Sequence, residues 1–109
     1  MMYSELAMDP QLRRGLLDVC VLSAIKNQDS YGYKIIKDLD PIIKLSESTL
    51  YTILKRLEDG GLLTVRVTMF MGRVRKYYHI TQTGLTRLEQ FKSEWKELMS
   101  VYKFIEDKQ

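Results

Sequence analysis

The hydrophobic period of the chain changes at the glycine pair Gly60-Gly61, and this change constrains the fold more than any other feature. Before the pair, apolar residues recur at i, i+3, i+4 and i+7, the stripe of a helix that packs on a core. They are Leu50, Ile53, Leu54 and Leu57. Ser46 is a suitable N-cap for this helix, and the glycine pair supplies the left-handed residue that ends it. From residue 63 to residue 69 apolar side chains alternate with Thr and Arg, which predicts a half-buried strand.

A second strand is predicted over residues 75–81, where the alternation returns with Tyr78 and Ile80 pointing inward. The run Met71-Gly72-Arg73-Val74 can turn the chain between the two strands. Because an isolated two-stranded hairpin is marginal in water, we expect its apolar face to rest on the helices.

Two further helices are predicted upstream. Residues 12–25 are apolar on most sides after the first turn, which is typical of a buried helix. Cys20 in its middle is interpreted as a small core residue. Residues 31–39 form a short amphipathic helix, with Ser30 as its expected N-cap. Pro41 ends that helix, because the residue before a proline disfavours helical geometry.

The last helix begins after Thr81, its expected N-cap, and carries a long apolar seam with spacings of 3, 4, 3, 4 and 3. The seam consists of Leu88, Phe91, Trp95, Leu98, Tyr102 and Ile105. So small a domain offers this seam no evident partner, and a second copy of the chain would cover it.

The inventory of reactive side chains excludes several classes of function. A single cysteine, Cys20, excludes an internal disulfide framework and a cysteine-based zinc cluster. A single histidine, His79, excludes a two-histidine metal site, and it is interpreted as a surface or interface residue because no acid or nucleophile accompanies it. We therefore expect a protein that is not an enzyme and needs no cofactor.

The sequence contains no secretory signal pattern, and no apolar run approaches the roughly 18 residues that a membrane span needs. We therefore expect a cytoplasmic protein without membrane contact.

The formal net charge of +3 is unevenly distributed along the 109 residues. Residues 1–81 hold 12 basic and 9 acidic side chains, whereas residues 82–109 hold 5 of each. This difference supports a division into a basic domain at 1–81 and a neutral dimerisation helix at 82–109. A modest basic excess permits a polyanionic partner without requiring one.

Three helices followed by a two-stranded hairpin is the element order of a winged helix-turn-helix, a mainly α fold with a two-stranded β wing. The third helix of that fold can enter the major groove of DNA, and cations at the hairpin tip can meet phosphates or reach the minor groove. Two alternatives stay open: a merely solvated outer face on the third helix, and a protein-interaction module that does not bind DNA.

Four motifs strengthen the DNA-binding interpretation. Tyr31-Gly32-Tyr33-Lys34-Ile35, Ser48-Thr49-Leu50-Tyr51, the run from Leu54 to Leu62 and the run from Gly72 to Thr81 together resemble the PadR family of bacterial transcriptional regulators. The resemblance covers roughly residues 12–91. It implies a homodimeric winged-helix protein, usually a repressor released by a small effector, in the short form with one helix after the wing.

The candidate DNA-binding residues lie on the third helix and on the wing. They are Ser48, Thr49, Tyr51, Thr52 and Lys55 on the helix, and Arg73, Arg75 and Lys76 on the wing. Packing beside Leu50 and Leu54 is the alternative for Tyr51, and a solvated surface is the alternative for the wing cations. Arg56 is left out because Asp59, three residues on, offers it a partner on the same helix.

The candidate effector and dimer residues lie on the last helix: Leu88, Phe91, Trp95, Leu98, Met99 and Tyr102. Trp95, with Phe91 and Met99 one turn to either side, could line an apolar cavity for a planar aromatic effector. Met8 and neighbouring N-terminal residues could supply adaptable walls. The alternative for Trp95 is packing in the dimer seam alone.

Overall fold

Four helices and one antiparallel hairpin make up the described part of the chain, residues 8–107 of this computed structural model. The elements are α1 (Pro10–Ala24), α2 (Gly32–Leu39), α3 (Glu47–Asp59), β1 (Leu63–Phe70), β2 (Arg73–Ile80) and α4 (Gln82–Asp107). The predicted class, mainly α with a two-stranded hairpin, is confirmed.

Side-chain caps begin three of the four helices. Asp9 Oδ2 accepts from the amides of Gln11 and Leu12 at 3.0 and 3.1 Å, and Ser46 Oγ accepts from the Thr49 amide at 3.1 Å. Thr81 Oγ1 accepts from the Gly84 amide at 3.1 Å. The predictions of Ser46 and Thr81 as N-caps are therefore confirmed.

The prediction of Ser30 as the N-cap of α2 is wrong. Tyr31 holds that position, and none of the described side chains caps it. The backbone of Ser30 instead pairs with Tyr78, whose amide donates to the Ser30 carbonyl at 2.7 Å. Because Ser30 forms this bridge, it lies in an extended segment that adds one bridge to the hairpin.

The core lies where α1, α2, α3 and the base of the hairpin meet. The α3 stripe is buried as predicted, together with Val21, Leu22 and Ile25 of α1 and Ile35 of α2. Burying a side chain of this size stabilises the fold by about 1.5–3 kcal/mol. Cys20 packs half-buried against this core, as predicted, and burial raises the pKa of its thiol.

Every residue of α1 from Gly15 to Ala24 except Ser23 is buried or half-buried, so the prediction of a buried helix after its first turn is confirmed. Leu12 in its first turn is 47% exposed, and Leu16 is half-buried. These side chains lie along a groove of about 230 Å³ that α1 forms with α4. One side of α1 thus remains available beside α4.

The hairpin runs in register from Leu63 opposite Ile80 to Phe70 opposite Arg73. Only Met71 and Gly72 form its turn, with φ angles of 51° and 78°, so the expectation of a four-residue turn is wrong. Positive φ at both central residues matches the twist of the strands. Tyr78 and Ile80 point inward as predicted.

The apolar face of the hairpin rests on the helices only at its base. Leu63 is buried and Val65 half-buried, but Val67, Met69 and Val74 are exposed. The expectation that the whole face is covered is therefore wrong, because the strands extend beyond the helices that would cover it.

Arg56 pairs with Asp18 of α1, so the expected pairing with Asp59 is wrong. Lys55 forms the ion pair with Asp59 instead, with Nζ of Lys55 3.2 Å from Oδ1 of Asp59. The packing of α3 against α1 determines which carboxylate Arg56 meets. It brings Arg56 next to Asp18, which is almost completely buried. Removing one partner of such a pair leaves an uncompensated charge.

Helix α4 leaves the body of the molecule after its first three turns. Gly84 and Leu88 are buried, but every side chain from Lys92 to Asp107 is exposed. A Cβ at Gly84 would lie 2.3 Å from the Leu62 carbonyl oxygen, so glycine is needed where α4 crosses the hairpin base. None of the helices in residues 8–107 is long and apolar enough to span a bilayer.

Candidate nucleic-acid interface

All five predicted side chains of α3 are exposed: Ser48, Thr49, Tyr51, Thr52 and Lys55. The buried stripe on the other side of α3 orients them, because a helix that buries one face presents the opposite one to solvent. Local bonds hold two of them. Thr52 Oγ1 donates to the Ser48 carbonyl at 3.0 Å, and Thr49 Oγ1 accepts from Ser46 Oγ at 2.9 Å. Each hydroxyl oxygen retains at least one lone pair that can accept a further hydrogen bond.

Tyr51 packs against the start of α2 and not simply beside its own helix neighbours. A Cβ at Gly32 would lie 2.8 Å from the Tyr51 hydroxyl, so the ring covers this glycine closely. The ring remains 46% exposed. Burial raises the pKa of the neighbouring Tyr78 hydroxyl, and the charges of Tyr51 and Glu58 raise it further. Tyr51 therefore has both a packing role and a surface that a ligand can reach.

Two open grooves flank α3. The larger, about 880 Å³, lies between β2 and the first turns of α2 and α3, and is lined by Tyr33, Glu47, Tyr51 and Arg73 among others. The smaller, about 470 Å³, lies between the outer side of α3 and the hairpin, and Lys55 lines it. Lys76 borders both. The third helix and the hairpin thus share two adjoining, partly basic grooves.

The three predicted wing cations do not form one cluster. Strand alternation places Arg73 and Arg75 on one face of β2 and Lys76 on the other. Arg73 and Lys76 are exposed, but Arg75 is half-buried. Phosphates can therefore approach Arg73 and Lys76 more readily than Arg75.

Aromatic rings hold the guanidinium of Arg75 in place. Its central carbon lies 3.9 Å from the ring centroid of Tyr31 and 4.0 Å from that of Phe70. Its Nη1 also donates to the Tyr77 hydroxyl at 3.2 Å. These contacts join the hairpin to the residue before α2, and we call this arrangement the Arg75 clamp.

An acidic residue accompanies His79, contrary to the sequence interpretation. Nδ1 of His79 lies 2.8 Å from Oδ1 of Asp29, and Nη2 of Arg66 lies 3.4 Å from Oδ2 of the same carboxylate. The hydrogen bond with His79 lowers the pKa of Asp29, helped by the charges of both neighbours and opposed by desolvation. Both His79 and Arg66 are exposed, so this is a surface cluster.

Sequence reasoning missed Asp29 and Tyr31 as parts of this region. Asp29 and His79 are 50 residues apart, and only the pairing of Ser30 with Tyr78 brings them together. The alternation of the strands could have indicated part of this arrangement, because it places Arg66, Arg75 and His79 on the same hairpin face.

The predicted effector and dimer residues divide into two groups. Leu88 is 5% exposed and belongs to the core of its own chain, while Phe91 is half-buried against that core. Trp95, Leu98, Met99 and Tyr102 are exposed on the projecting part of α4. The rings of Phe91 and Trp95 stack with centroids 5.9 Å apart and an interplanar angle of 22°. Met8 is half-buried, and the residues before it lie outside the described range.

The helices, the hairpin beside α3 and the grooves between them define a winged helix-turn-helix protein, a class that binds DNA. The model of the "Transcriptional regulator PadR-like family" matches residues 21–90. The chain belongs to this family of DNA-binding transcriptional regulators, so the resemblance found in the sequence and the prediction that the protein is not an enzyme are confirmed.

Solved structures of the family are similar along most of the chain. A PadR family regulator of Eggerthella lenta is 38% identical, with a TM-score of 0.76, and the similarity covers 88% of this chain and 87% of that one. For a PadR family regulator of Clostridium difficile the identity is 33%, the TM-score 0.74 and the coverages 82% and 96%. Bacillus subtilis PadR, solved in complex with operator DNA, is 25% identical with a TM-score of 0.66, over 70% of this chain and 46% of that one.

The Arg75 clamp predicts a stability difference between two arginines of the same strand. We expect Arg75→Ala to lower the free energy of unfolding by about 1–2 kcal/mol, because it removes two close cation–π contacts. The matched change Arg73→Ala alters an exposed side chain and should cost less than about 0.5 kcal/mol. Denaturant unfolding monitored by circular dichroism measures both, and an equal decrease in the two variants would contradict the clamp.

Proposed function

We propose that the protein is a homodimeric repressor that binds operator DNA, with α3 in the major groove and the hairpin on the adjacent backbone. One observation carries the proposal: Tyr51 and Lys55 of α3 line two adjoining grooves together with Arg73 and Lys76 of the hairpin, and Tyr51 and Lys76 line both. The operator complex of Bacillus subtilis PadR supports it, since that protein has a similar fold. Operator binding places the protein in the cytoplasm.

The proposed DNA contacts of these side chains differ with side-chain length and position. Ser48, Thr49 and Thr52 are short hydroxyl donors for base edges or phosphates, while Tyr51 and Lys55 extend further. Arg73 and Lys76 neutralise phosphates from the hairpin. Arg75 supports the hairpin through its clamp and contributes to the positive field beside the DNA.

The projecting half of α4 supports the dimer. Its apolar side chains from Trp95 to Ile105 are exposed in the single chain, and a row of this spacing packs well against a second helix. Residues 82–109 thus act as the dimerisation helix and residues 1–81 as the DNA-binding domain. A dimer presents two recognition helices, which fit half-sites about 34–36 Å apart.

The effector would be a planar aromatic compound bound at the stacked pair of Phe91 and Trp95. Trp95 is 42% exposed and its ring offers a flat apolar face, while Met99 lies one turn further along α4. Phe91 also lines the neighbouring groove between α1 and α4. A ligand wedged between the subunits would change the spacing of the recognition helices and so lower the affinity for the operator.

The salt dependence of DNA binding tests the proposed function. We expect the variant Arg73→Ala/Lys76→Ala to bind all duplexes more weakly and to flatten the log–log salt slope by about 0.9 for each phosphate that the hairpin no longer neutralises. Mobility shifts at several salt concentrations measure it, with Lys92→Ala on α4 as the control.

Two results would contradict this assignment. An unchanged slope in the double variant would show that Arg73 and Lys76 do not neutralise phosphates. Absence of any salt-dependent shift with the wild-type protein would favour the protein-interaction module.

A charge placed in the α4 seam tests the dimer. We expect Leu98→Glu to raise the dimer dissociation constant by at least about 100-fold, because the interface would bury an unpaired carboxylate. Lys103→Glu, on the polar side of the same helix, should leave the dimer intact. Sedimentation velocity distinguishes the two species, and a Leu98→Glu variant that remains dimeric would exclude this seam as the interface.

The fluorescence of Trp95, the single tryptophan of the sequence, tests the effector site. Titration with a chemically broad panel of planar aromatic compounds should quench its emission, because such rings stack on indole. The quenching compound should also release the operator in a mobility shift. No quenching across the panel would leave Trp95 with a packing role alone.

A further inference from the structure

One ion pair joins the helix that is proposed to contact DNA to a helix that packs beside the proposed dimer seam. Nη2 of Arg56, in the last turn of α3, donates to Oδ1 of Asp18 on α1. Asp18 is only 6% exposed. Of the ion pairs that residues 8–107 form among themselves, this is the one that connects α1 with α3.

Stability alone does not explain this pair. Taking two charges out of water costs about as much as their attraction returns, so two well-packed apolar side chains often stabilise a fold equally well. Nε of Arg56 is also buried without a hydrogen-bond partner among the described residues, and an unpaired buried donor lowers stability. What a charged hydrogen bond adds is direction, because it requires one geometry, whereas apolar contacts allow small rotations and shifts.

The pair acts at one edge of the polar face of α3. Arg56 follows Thr52 by four residues, so both lie on the same side of the helix. At the other edge, the ring of Tyr51 covers Gly32 at the start of α2. Helix α3 is thus held by α1 along one edge and by α2 along the other, with the apolar stripe between them. Loss of the ion pair frees the first edge while the stripe stays buried.

Helix α1 also connects α3 to the dimer seam. It packs against α4, and Gly15 and Val19 line the groove between the two helices together with Phe91. Asp18 directly precedes Val19 in the same turn of α1. The other connection from α4 to α3 runs through the hairpin. In a dimer joined along α4, the separation of the two α3 helices therefore depends on how rigidly each is held on its own α1.

We propose that Asp18 and Arg56 are positioning residues that determine which operator spacing the dimer accepts. Their ion pair fixes the distance and the rotation between the two recognition helices. The proposal rests on the DNA binding and the dimer proposed above, and it adds a specificity determinant that acts through α3. One base pair inserted between two half-sites rotates one of them by roughly 35°, because B-DNA completes a turn in about 10–10.5 base pairs. A rigid pair of recognition helices discriminates against such a change.

The variant Asp18→Leu/Arg56→Met tests the pair in the full-length protein. It leaves no charge unpaired, so the fold should be retained. The probes are an operator selected by the wild type from a pool of random duplexes, and the same operator lengthened or shortened at its centre by one base pair. We expect the wild type to prefer its own spacing by at least about tenfold and the variant by less than about threefold. Mobility shifts measure this ratio of affinities.

Two further variants separate positioning from loss of charge. Lys55→Met removes a cation and its ion pair with Asp59 from the same region of α3 but leaves the link to α1 intact. It should weaken binding to all three duplexes by the same factor and so keep the spacing preference. Asp18→Asn keeps the shape and an acceptor but loses the charge, and it should give an intermediate preference. Asp18→Asn also decides the question if the double variant does not fold.

Distances between two spin labels report on the same property without DNA. Glu58 is exposed on α3, so Glu58→Cys carries one label on each recognition helix once Cys20, the single cysteine, is replaced by Ser. Pulsed electron paramagnetic resonance should give one narrow distance distribution for the dimer. We expect a broader distribution with Asp18→Leu/Arg56→Met and an unchanged one with Lys55→Met.

The outcomes separate this inference from the proposed function. A wild-type spacing preference in the folded double variant would overturn the positioning role and leave DNA binding intact. An equal loss of preference in Lys55→Met would also overturn it, because the link to α1 would then have no special effect. A wild-type protein that binds no duplex would refute the proposed function, and equal label distances in the wild type and the double variant would then decide against the ion pair as well.

Discussion

Burial of the apolar stripe of α3 is the interaction on which the rest of the molecule depends. Leu50, Ile53, Leu54 and Leu57 lie in the core, and their helix contacts α1, α2 and β1. Only one rotation of the helix about its axis buries such a stripe, so its hydroxyl-rich face must point outward. The ion pair between Asp18 and Arg56 adds a directional bond at the last turn. The orientation of the DNA-facing side chains is therefore a consequence of core packing.

The hairpin projects into solvent, and contacts at its base and its middle fix its position relative to the helices. Its base is held by the backbone bridge between Ser30 and Tyr78, and Arg75 joins its middle to Tyr31. Beyond the base, Val67, Met69 and Val74 of the apolar face are exposed. Helix α4 is similar, since Gly84 lets its first turn approach the hairpin base closely while its second half projects. The two projecting apolar surfaces are the places where partners gain most by binding.

Most elements could be predicted because their signals are local. The α3 stripe, the caps Ser46 and Thr81 and the positive φ of Gly61 all follow from residues within one or two helical turns. Two of the predictions that failed concern choices between competing partners. Ser30 bridges Tyr78 instead of capping α2, because a backbone pairing with a distant strand was available. Arg56 pairs with a carboxylate 38 residues away instead of Asp59.

The sequence by itself determined the order and type of the elements, the outward face of α3 and the seam of α4, because periodicity and capping act over a few residues. Only the tertiary structure decided which cations remain available to DNA. Arg73 and Arg75 are equivalent in the sequence pattern, yet aromatic rings from three segments enclose only Arg75. Such enclosure depends on the distances between segments far apart in the chain, and those distances are set by how the helices pack.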